Sequence, residues 1–302
     1  MTNKAFGENA QAALEKINAK AKLLDGLLSV TNENSEVYAL NSGKTLVPSE
    51  DTRQIIKQSA ELCGFTGGRL DITSYPVLKA WGFTTQGYRI PSQTELDKLL
   101  DNVGTENICI EESGIYLKNN AQIDLGATAK GYLADRAIEI LDENKIASAL
   151  LNLGGTIVAR GEKPSGEKWK IGVADPKNSS SYFGFLNLSD KIAATSGGYE
   201  RYFVGEDGET YIHIIDPKSG RPVKNGTASV TVISDSGIKS DALSTALFVA
   251  GKDEAENIWK KDGKTFDYII LTDDNELFVT KEVSDSLRLA DGFDEIKINV
   301  VQ

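Results

Sequence analysis

The chain has 302 residues, with 33 Lys and Arg against 44 Asp and Glu, a formal net charge of −11 and a single histidine. This length is sufficient to bury a large core, and 40% apolar with 25% charged residues is typical of an ordinary soluble globular protein. The negative charge repels phosphate backbones, so no nucleic-acid partner is expected. One histidine excludes sites that need two, such as HExxH zinc centres.

The two cysteines and the N-terminus indicate no special chemistry. Cys63 and Cys109 form no CxxC motif and have no neighbouring histidine, so two buried thiols are expected instead of a zinc or redox site. The first 28 residues carry charges throughout and contain no long apolar run. They therefore predict neither a signal peptide nor a membrane span.

Three helices are predicted in the first third of the chain. In the first, apolar residues recur every three or four positions, which is typical of an amphipathic helix packed on a sheet. The other two follow a serine that can cap the first turn, and the third also has the spacing of a capping box. The predicted helices cover residues 10–28, the segment from Ser49 to Gly64, and the segment from Ser92, with Glu95 three residues on, to about Gly104.

The rest of the chain is rich in strands. A hairpin is predicted within residues 106–124, and a helix from about Ala127 to Asn144. Further helices are predicted near residues 239–250 and 252–262. The predicted strands are SALLNLG, TIVARG, KWKIGVA, FGFLNL, KIAATS, YIHIID, ASVTVIS, DYIILT and LFVT. Grouped helices and hairpin-like strands predict an α+β fold with a largely antiparallel sheet core and packed helices.

Two glycine-containing segments are candidates for anion binding. In DLGATAKGY, Gly126 precedes a predicted helix whose free N–H groups and Lys130 suit a phosphate, although the order of residues is not that of a P-loop. In NLGGT, Gly154 and Gly155 would let the backbone approach a ligand. The first segment is also the pattern of a capped helix with a surface lysine. The second is also the pattern of a tight turn.

Asp241 and Thr245 suggest a metal site. They lie four residues apart in a segment otherwise made of apolar residues, so both would lie on one face of a mostly buried helix. A buried carboxylate needs a partner, and oxygen ligands favour Mg²⁺ over Ca²⁺. The alternative is that Asp241 caps a helix after Ser240.

His213 is the candidate general base. In the run YIHIIDP it would share a strand face with Tyr211, and its unperturbed pKa near 6.5 suits proton transfer at neutral pH. Asp216 would either orient the imidazole ring or start a turn, and the histidine itself would otherwise be structural. A Ser-His-Asp hydrolase is disfavoured because the chain has no GxSxG motif.

The order and the residues of these motifs resemble those of the ApbE family of flavin transferases, which move FMN from FAD onto a protein threonine or serine. The matching segments span nearly the whole chain. They are SVTNENSEVYALN (29–41), LDITSYPVLKAWGF (70–83), DLGATAKGYLADRA (124–137), ALLNLGGTI (149–157), TSGGYERYF (195–203), HIIDPKSGRPV (213–223) and SDALSTALFVAG (240–251).

The resemblance implies a T-fold-like architecture in which residues 1–302 form a single flavin transferase domain, arranged as one body or as two lobes around an FAD cleft. It implies that Mg²⁺ is held by Asp241, Thr245 and the backbone carbonyl of Ala127. It also implies an FAD site with the flavin near Trp81 and the pyrophosphate near Lys130. The implied FAD contacts are Asn41, Trp81, Lys130, Gly154, Gly155, Ser196, Tyr199 and Glu200.

The activity implied is Mg²⁺-dependent transfer of FMN from FAD to a threonine or serine of an acceptor with an FMN-binding domain, such as an electron-transfer flavoprotein. Lys130 and the metal would neutralise the pyrophosphate, His213 would take the hydroxyl proton, and AMP would leave. The alternatives are an FAD pyrophosphatase, in which water replaces the hydroxyl, and a flavin-binding protein without turnover.

Several features depart from the family pattern. Members usually begin with a strand carrying a Met-Gly-Thr signature, often after a lipoprotein signal, and this piece is expected to be missing here. Ala127 replaces a common glycine and Thr156 a common asparagine. The family favours a membrane-tethered protein outside the cytoplasm, whereas the chain as it stands favours the cytoplasm.

Overall fold

The structure is a computed structural model that describes residues 3–302. Met1 and Thr2, which begin the stretch predicted to lack a signal peptide, lie outside the described residues. The helices are α1 (Ala10–Leu28), α2 (Glu36–Asn41), α3 (Glu50–Phe65), α4 (Tyr75–Trp81), α5 (Gln93–Leu100), α6 (Ala129–Glu143), α7 (Gly237–Lys261) and α8 (Lys281–Ser286). The strands are β1 (Lys4–Phe6), β2 (Ile108–Glu111), β3 (Gly114–Leu117), β4 (Ser148–Leu153), β5 (Thr156–Arg160), β6 (Trp169–Asp175), β7 (Asn178–Leu188), β8 (Lys191–Gly197), β9 (Tyr202–Val204), β10 (Thr210–Ile212), β11 (Ile215–Asp216), β12 (Arg221–Pro222), β13 (Thr227–Ser234), β14 (Asp267–Thr272), β15 (Glu276–Thr280), β16 (Arg288–Leu289) and β17 (Lys297–Val301).

The main sheet has eight strands in the order β1-β4-β5-β8-β13-β14-β15-β17. Every neighbouring pair in it is antiparallel except β15 with β17, which is parallel. A smaller sheet has the order β16-β7-β6. The predicted α+β class with a largely antiparallel sheet is therefore confirmed.

The main sheet is covered on both faces. One face packs against the smaller sheet through apolar side chains such as Ile233 and Phe183. The other packs against α1 and α6, where Val158 of β5 meets Ile17 and Ala134. Successive residues of a strand point to opposite faces, so burial on both sides requires the nearly continuous apolar runs that these strands carry.

The described residues form two compact units. The first contains the residues up to Lys20 together with Lys130–Tyr199 and Lys224–Gln302, and it holds the two sheets just described. The second contains Ala21–Ala129 and Glu200–Val223. It holds α2 to α5 and three two-stranded ribbons, β2 with β3, β9 with β10, and β11 with β12.

The predicted helices are confirmed, with adjustments at their ends. Ser49 caps α3 through the N–H of Thr52, and the helix continues past Gly64 to Phe65. Ser92 caps α5, but the Glu95 carboxylate binds Arg89 and does not complete the capping box. The elements that the sequence did not predict are β1, α2, α4, β9, β12, α8, β16 and β17.

The helix predicted in two pieces near residues 239–262 is α7, which kinks at Gly251 with φ 70° and ψ 174°. Asn225 holds the kink, since its side-chain amide donates to the carbonyl of Phe248 at 2.9 Å. No helix within residues 3–302 combines the length and the apolar character that a bilayer-crossing segment needs.

The two cysteines differ in burial. Cys63 is 2% exposed, as predicted, whereas Cys109 is only half-buried, so the expectation of two buried thiols is wrong for the second. Burial, with a smaller contribution from the nearby Asp71 carboxylate, raises the pKa of the Cys63 thiol to about 12. The thiol therefore stays protonated and unreactive in the folded protein.

The raised pKa of Cys63 predicts a loss of stability at alkaline pH. In the unfolded chain a thiol titrates near pH 8.5, so the stabilising contribution of the protonated thiol is complete below that pH and is lost as pH rises toward the folded value. The free energy of unfolding should fall by about 1.4 kcal/mol per pH unit over this range because of Cys63. Urea unfolding at pH 8 and pH 10 should show a steeper fall for the unmodified protein than for Cys63→Ala. Cys109→Ala is the control and should keep the steep fall; equal slopes in all three proteins would contradict the assignment.

Candidate active site

The candidate site in the first unit is built around a contact between α6 and α7. A Cβ atom on Gly131 would lie 2.2 Å from the carbonyl oxygen of Gly237, and one on Gly237 would lie 2.2 Å from that of Gly131. The two helices therefore touch backbone to backbone, which only glycine permits. This contact brings the start of α7, from Gly237 to Asp241, against the first turn of α6.

Asp241 lies at this contact and is 4% exposed. Its Oδ2 accepts a hydrogen bond from the N–H of Gly131 at 2.8 Å, and the Nζ of Lys130 lies 3.8 Å from its Oδ1. These two groups offset the cost of burying the carboxylate. The predicted buried carboxylate on α7 is confirmed.

Asp241 does not cap the helix, because α7 begins four residues earlier. Ser236 is the N-cap and accepts from the N–H of Lys239. Asp135 of α6 accepts from the N–H groups of Gly237 at 2.5 Å and Ile238 at 2.9 Å. Burial raises the pKa of Asp135, and these two hydrogen bonds act in the opposite direction. Sequence analysis missed this residue, since nothing in the local pattern links it to a helix a hundred residues away.

Three hydroxyl groups lie beside Asp241. Ser196 near the end of β8 has its Oγ 2.8 Å from the Oγ of Ser244 and 3.1 Å from the Oγ1 of Thr245. Ser244, also missed by sequence analysis, donates to the carbonyl of Asp241 at 2.8 Å. Thr245 is half-buried and lies one helical turn after Asp241, so the predicted shared face is confirmed. The structure thus brings together Lys130, Ser196, Asp241 and Thr245.

The Gly154–Gly155 hairpin joins β4 to β5 at the same end of the sheet as Ser196, because β5 pairs antiparallel with β8 and Ile157 lies opposite Ala193. Gly154 has φ 74° and Gly155 φ 101°, the values of a tight hairpin turn. The N–H of Gly155 binds the side chain of Asn152 at 2.9 Å, and a Cβ at Gly155 would meet only open space. The turn explains both glycines, and their contact with FAD stays a prediction.

Two N–H groups at the first turn of α6 already have partners, and anion binding at this turn stays a prediction. The N–H of Ala129 binds the carbonyl of Leu125 at 2.8 Å, and that of Gly131 binds Asp241. In an α-helix the Gly131 N–H would instead reach the carbonyl of Ala127. That carbonyl is therefore left out of the helical hydrogen bonds of α6, which begins at Ala129.

In the second unit, Trp81 belongs to the core. It is fully buried, its Nε1 donates to the carbonyl of Gly220 at 2.8 Å, and its ring centroid lies 5.1 Å from that of Tyr211. A flavin would reach the Trp81 ring only if these partners moved, so the contact implied by the resemblance stays a prediction. The observed role of Trp81 is to support the ribbon of β9 and β10.

Other residues implied as FAD contacts have structural partners. The Asn41 amide donates to the carbonyl of Ile123 at 2.9 Å and accepts from its N–H at 2.7 Å, as a strand neighbour would. The Tyr199 ring lies over Gly197, where a Cβ would be 2.2 Å from its Cε1. Glu200 is exposed at the end of a short 3₁₀ turn.

His213 lies just after β10 and before β11, so the continuous strand predicted for YIHIIDP is wrong. The alternation breaks because Ile214 and Ile215 are both buried. The Nδ1 of His213 lies 3.2 Å from the carbonyl oxygen of Arg201, which also accepts from the His213 N–H at 3.0 Å. A carbonyl can only accept, so this contact places the proton of the neutral ring on Nδ1 and leaves the lone pair on Nε2.

Asp216 forms the turn after β11. Its carboxylate accepts from the N–H of Lys218 at 3.0 Å and from the hydroxyl of Ser219 at 3.2 Å. This is the turn-forming alternative weighed from the sequence. A role for Asp216 in orienting the imidazole ring stays a prediction.

The glycine contact gives a prediction for stability. Gly131→Ala should lower the free energy of unfolding by about 2–4 kcal/mol, because the new methyl group overlaps the α7 backbone. Urea unfolding measures this loss. The matched control is Gly64→Ala, also within a helix but with open space around the Cβ position, which should be neutral or stabilise by up to about 1 kcal/mol. Equal effects of the two substitutions would contradict the tight crossing.

Known proteins resemble this chain in sequence. The sequence profile of the ApbE family matches residues 2–270. The FAD:protein FMN transferase of Haemophilus influenzae is 31% identical over 294 residues, covering 94% of this chain and 83% of the relative. That of Escherichia coli K12 is 29% identical over 260 residues, covering 82% of this chain and 74% of the relative.

Solved structures are also similar. The ApbE protein of Thermotoga maritima superposes with a TM-score of 0.81 at 31% identity, covering 98% of this chain and 94% of the other. The flavinyl transferase ApbE of Pseudomonas stutzeri, in its apo form, gives a TM-score of 0.79 at 26% identity, covering 97% and 89%.

Proposed function

The chain belongs to the ApbE family, and we propose on this basis that it is a flavin transferase that moves FMN from FAD to a hydroxyl group of an acceptor protein. The observation that carries the proposal is the cluster of Lys130, Asp241, Ser196 and Thr245 at the crossing of α6 and α7. A buried carboxylate, a lysine and aligned hydroxyls suit a polyanionic ligand with a cation.

The donor set fits Mg²⁺. Within residues 3–302 there is no group of three or more His, Cys, Asp or Glu side chains that could hold a metal. The proposed ligands are accordingly one carboxylate, Asp241, one hydroxyl, Thr245, and the carbonyl of Ala127 that α6 leaves unused. Hard oxygen ligands completed by water and phosphate are what Mg²⁺ prefers. When bound, the ion would neutralise charge on the FAD diphosphate.

Lys130 has the role of holding the diphosphate. Its side chain is 40% exposed, and its ammonium group lies near, but not in direct hydrogen-bond contact with, the Asp241 carboxylate at 3.8 Å. Part of its charge is therefore available to an incoming anion. The net charge of −11 makes such local cations necessary for an anionic substrate to bind.

His213 has the role of general base. The Nδ1 contact with the Arg201 carbonyl leaves Nε2 able to accept the proton of an acceptor threonine or serine. The hydroxyl oxygen then forms a bond to the FMN phosphorus, the bond from that phosphorus to the AMP oxygen breaks, and AMP leaves. The product is a phosphoester between FMN and the acceptor.

One experiment tests the proposed function. The protein is incubated with FAD, MgCl₂ and an FMN-binding domain of an electron-transfer flavoprotein, with EDTA as the metal-free control. We expect the mass of the acceptor to increase by one FMN group and AMP to be released, and both only when Mg²⁺ is present. Free FMN without labelled acceptor would indicate a pyrophosphatase, and unchanged FAD a binding protein; both results would contradict the proposal.

A further inference from the structure

Thr156 carries a buried hydroxyl group that the fold does not use. It is the first residue of β5, its side chain is 1% exposed, and its Oγ1 has no hydrogen-bond partner in the described part of the chain. Buried hydroxyl groups in folded proteins are nearly always paired, because an unpaired one has lost water without replacement. An unpaired hydroxyl at this position therefore calls for a partner that is not part of the chain.

The sheet register places this hydroxyl beside the candidate site. Thr156 shares a face of β5 with Val158, which packs against α1 and α6. Since Ile157 pairs with Ala193, continuing the register by one residue sets Thr156 opposite the next residue of β8, two before Ser196. Diagonal neighbours of this kind have Cα atoms about 7–8 Å apart on the same face. Thr156 thus lies one diagonal step from the serine that contacts Thr245.

The turn before Thr156 supplies no side chain that could pair with its hydroxyl group. Its two residues, Gly154 and Gly155, are exposed glycines. Lys130, the cation of the cluster, lies near Asp241, which stands one helical turn before Thr245. A group that reaches both Lys130 and a hydroxyl donor is expected to be anionic.

From these observations, and resting on the proposed function, we infer that Thr156 is a substrate-binding residue whose hydroxyl donates a hydrogen bond to a phosphate oxygen of FAD. The unpaired hydroxyl makes the FAD-free protein slightly less stable and is satisfied on binding. This predicts effects of opposite sign when the hydroxyl is removed, a combination that a purely structural threonine would not give.

The test compares Thr156→Val, which keeps the branched shape without the hydroxyl, with Thr156→Ser, which keeps the hydroxyl. Flavin fluorescence titration in MgCl₂ should show a Kd for FAD about tenfold higher in Thr156→Val and within about twofold of the unmodified protein in Thr156→Ser. Thermal unfolding without FAD should show Thr156→Val with a Tm about 2 °C higher.

Unchanged FAD affinity in Thr156→Val, or a lowered Tm of the FAD-free variant, would overturn the inference and leave a threonine with a structural or water-binding role. FAD binding and acceptor labelling by the unmodified protein distinguish a failure of this inference from a failure of the proposed function. If it labels the acceptor while Thr156→Val binds FAD equally well, only the role of Thr156 is wrong. If it neither binds FAD nor labels the acceptor, the proposed function itself is wrong.

Discussion

Replacing Asp241 by asparagine is expected to lower the rate of FMN transfer by at least about 100-fold. The asparagine side-chain carbonyl can still accept from the Gly131 N–H, so the contact between α6 and α7 should persist. What is lost is the negative charge that the proposed Mg²⁺ site requires. Acceptor labelling measured by mass over a range of Mg²⁺ concentrations gives both the rate and the metal dependence.

The control for Asp241 is Asp253→Asn, an exposed position on the same helix. It should leave both the rate and the Mg²⁺ dependence unchanged. Circular dichroism and thermal unfolding establish that Asp241→Asn remains folded. Transfer by a folded Asp241→Asn protein at the unmodified rate, with the same Mg²⁺ requirement, would contradict the assignment of the carboxylate to the metal.

Replacing His213 by alanine is expected to reduce transfer by about 10²–10⁴-fold while FAD binding is retained. The reason is that His213 is the only histidine in the chain and, in the proposed reaction, acts only on the acceptor hydroxyl. FAD affinity is followed by fluorescence titration and transfer by the mass of the acceptor. Added imidazole should partly restore transfer, because it supplies a base of the same pKa range.

Glu206→Gln is the matched control for His213, since this exposed residue lies in the loop joining β9 to β10 and next to no assigned group. It should transfer FMN normally. Normal transfer by His213→Ala would refute the base assignment, and loss of FAD binding by the same variant would indicate that the imidazole holds the substrate instead.

Local signals predicted most of the regular structure. The apolar spacing of α1 and the serine caps of α3 and α5 depend on residues within a few positions of each other. Such local signals do not depend on distant parts of the chain, so they can be identified from the sequence. The short helices α2 and α4 were missed because six or seven residues give too little periodicity. The parallel strand β17 was missed because its partner β15 lies across an intervening helix.

The candidate site could be predicted only in part. The spacing of Asp241 and Thr245 identified a shared helical face, and that inference depends on helix geometry alone. Contacts between residues far apart in the chain could not be predicted. Examples are the hydrogen bond from the Gly237 N–H to Asp135 and the backbone contact between Gly131 and Gly237. His213 was placed in a continuous strand because its neighbours alternate in sequence, whereas β10 ends at Ile212 and β11 begins at Ile215 with a different partner strand.

The glycine crossing of α6 and α7 has a consequence for engineering this protein. Replacing helical glycines by alanine is a common route to thermostable variants, because it restricts the unfolded chain. In this protein the substitution should be tolerated at Gly64, where a methyl group meets open space. It should not be tolerated at Gly131 and Gly237, where a methyl group would overlap the backbone of the other helix. At those two positions a larger side chain would shift the carboxylate of Asp241 together with the helix that carries it. Selection for heat resistance and selection for activity should therefore both retain these glycines, and a thermostable variant would have to gain its stability elsewhere.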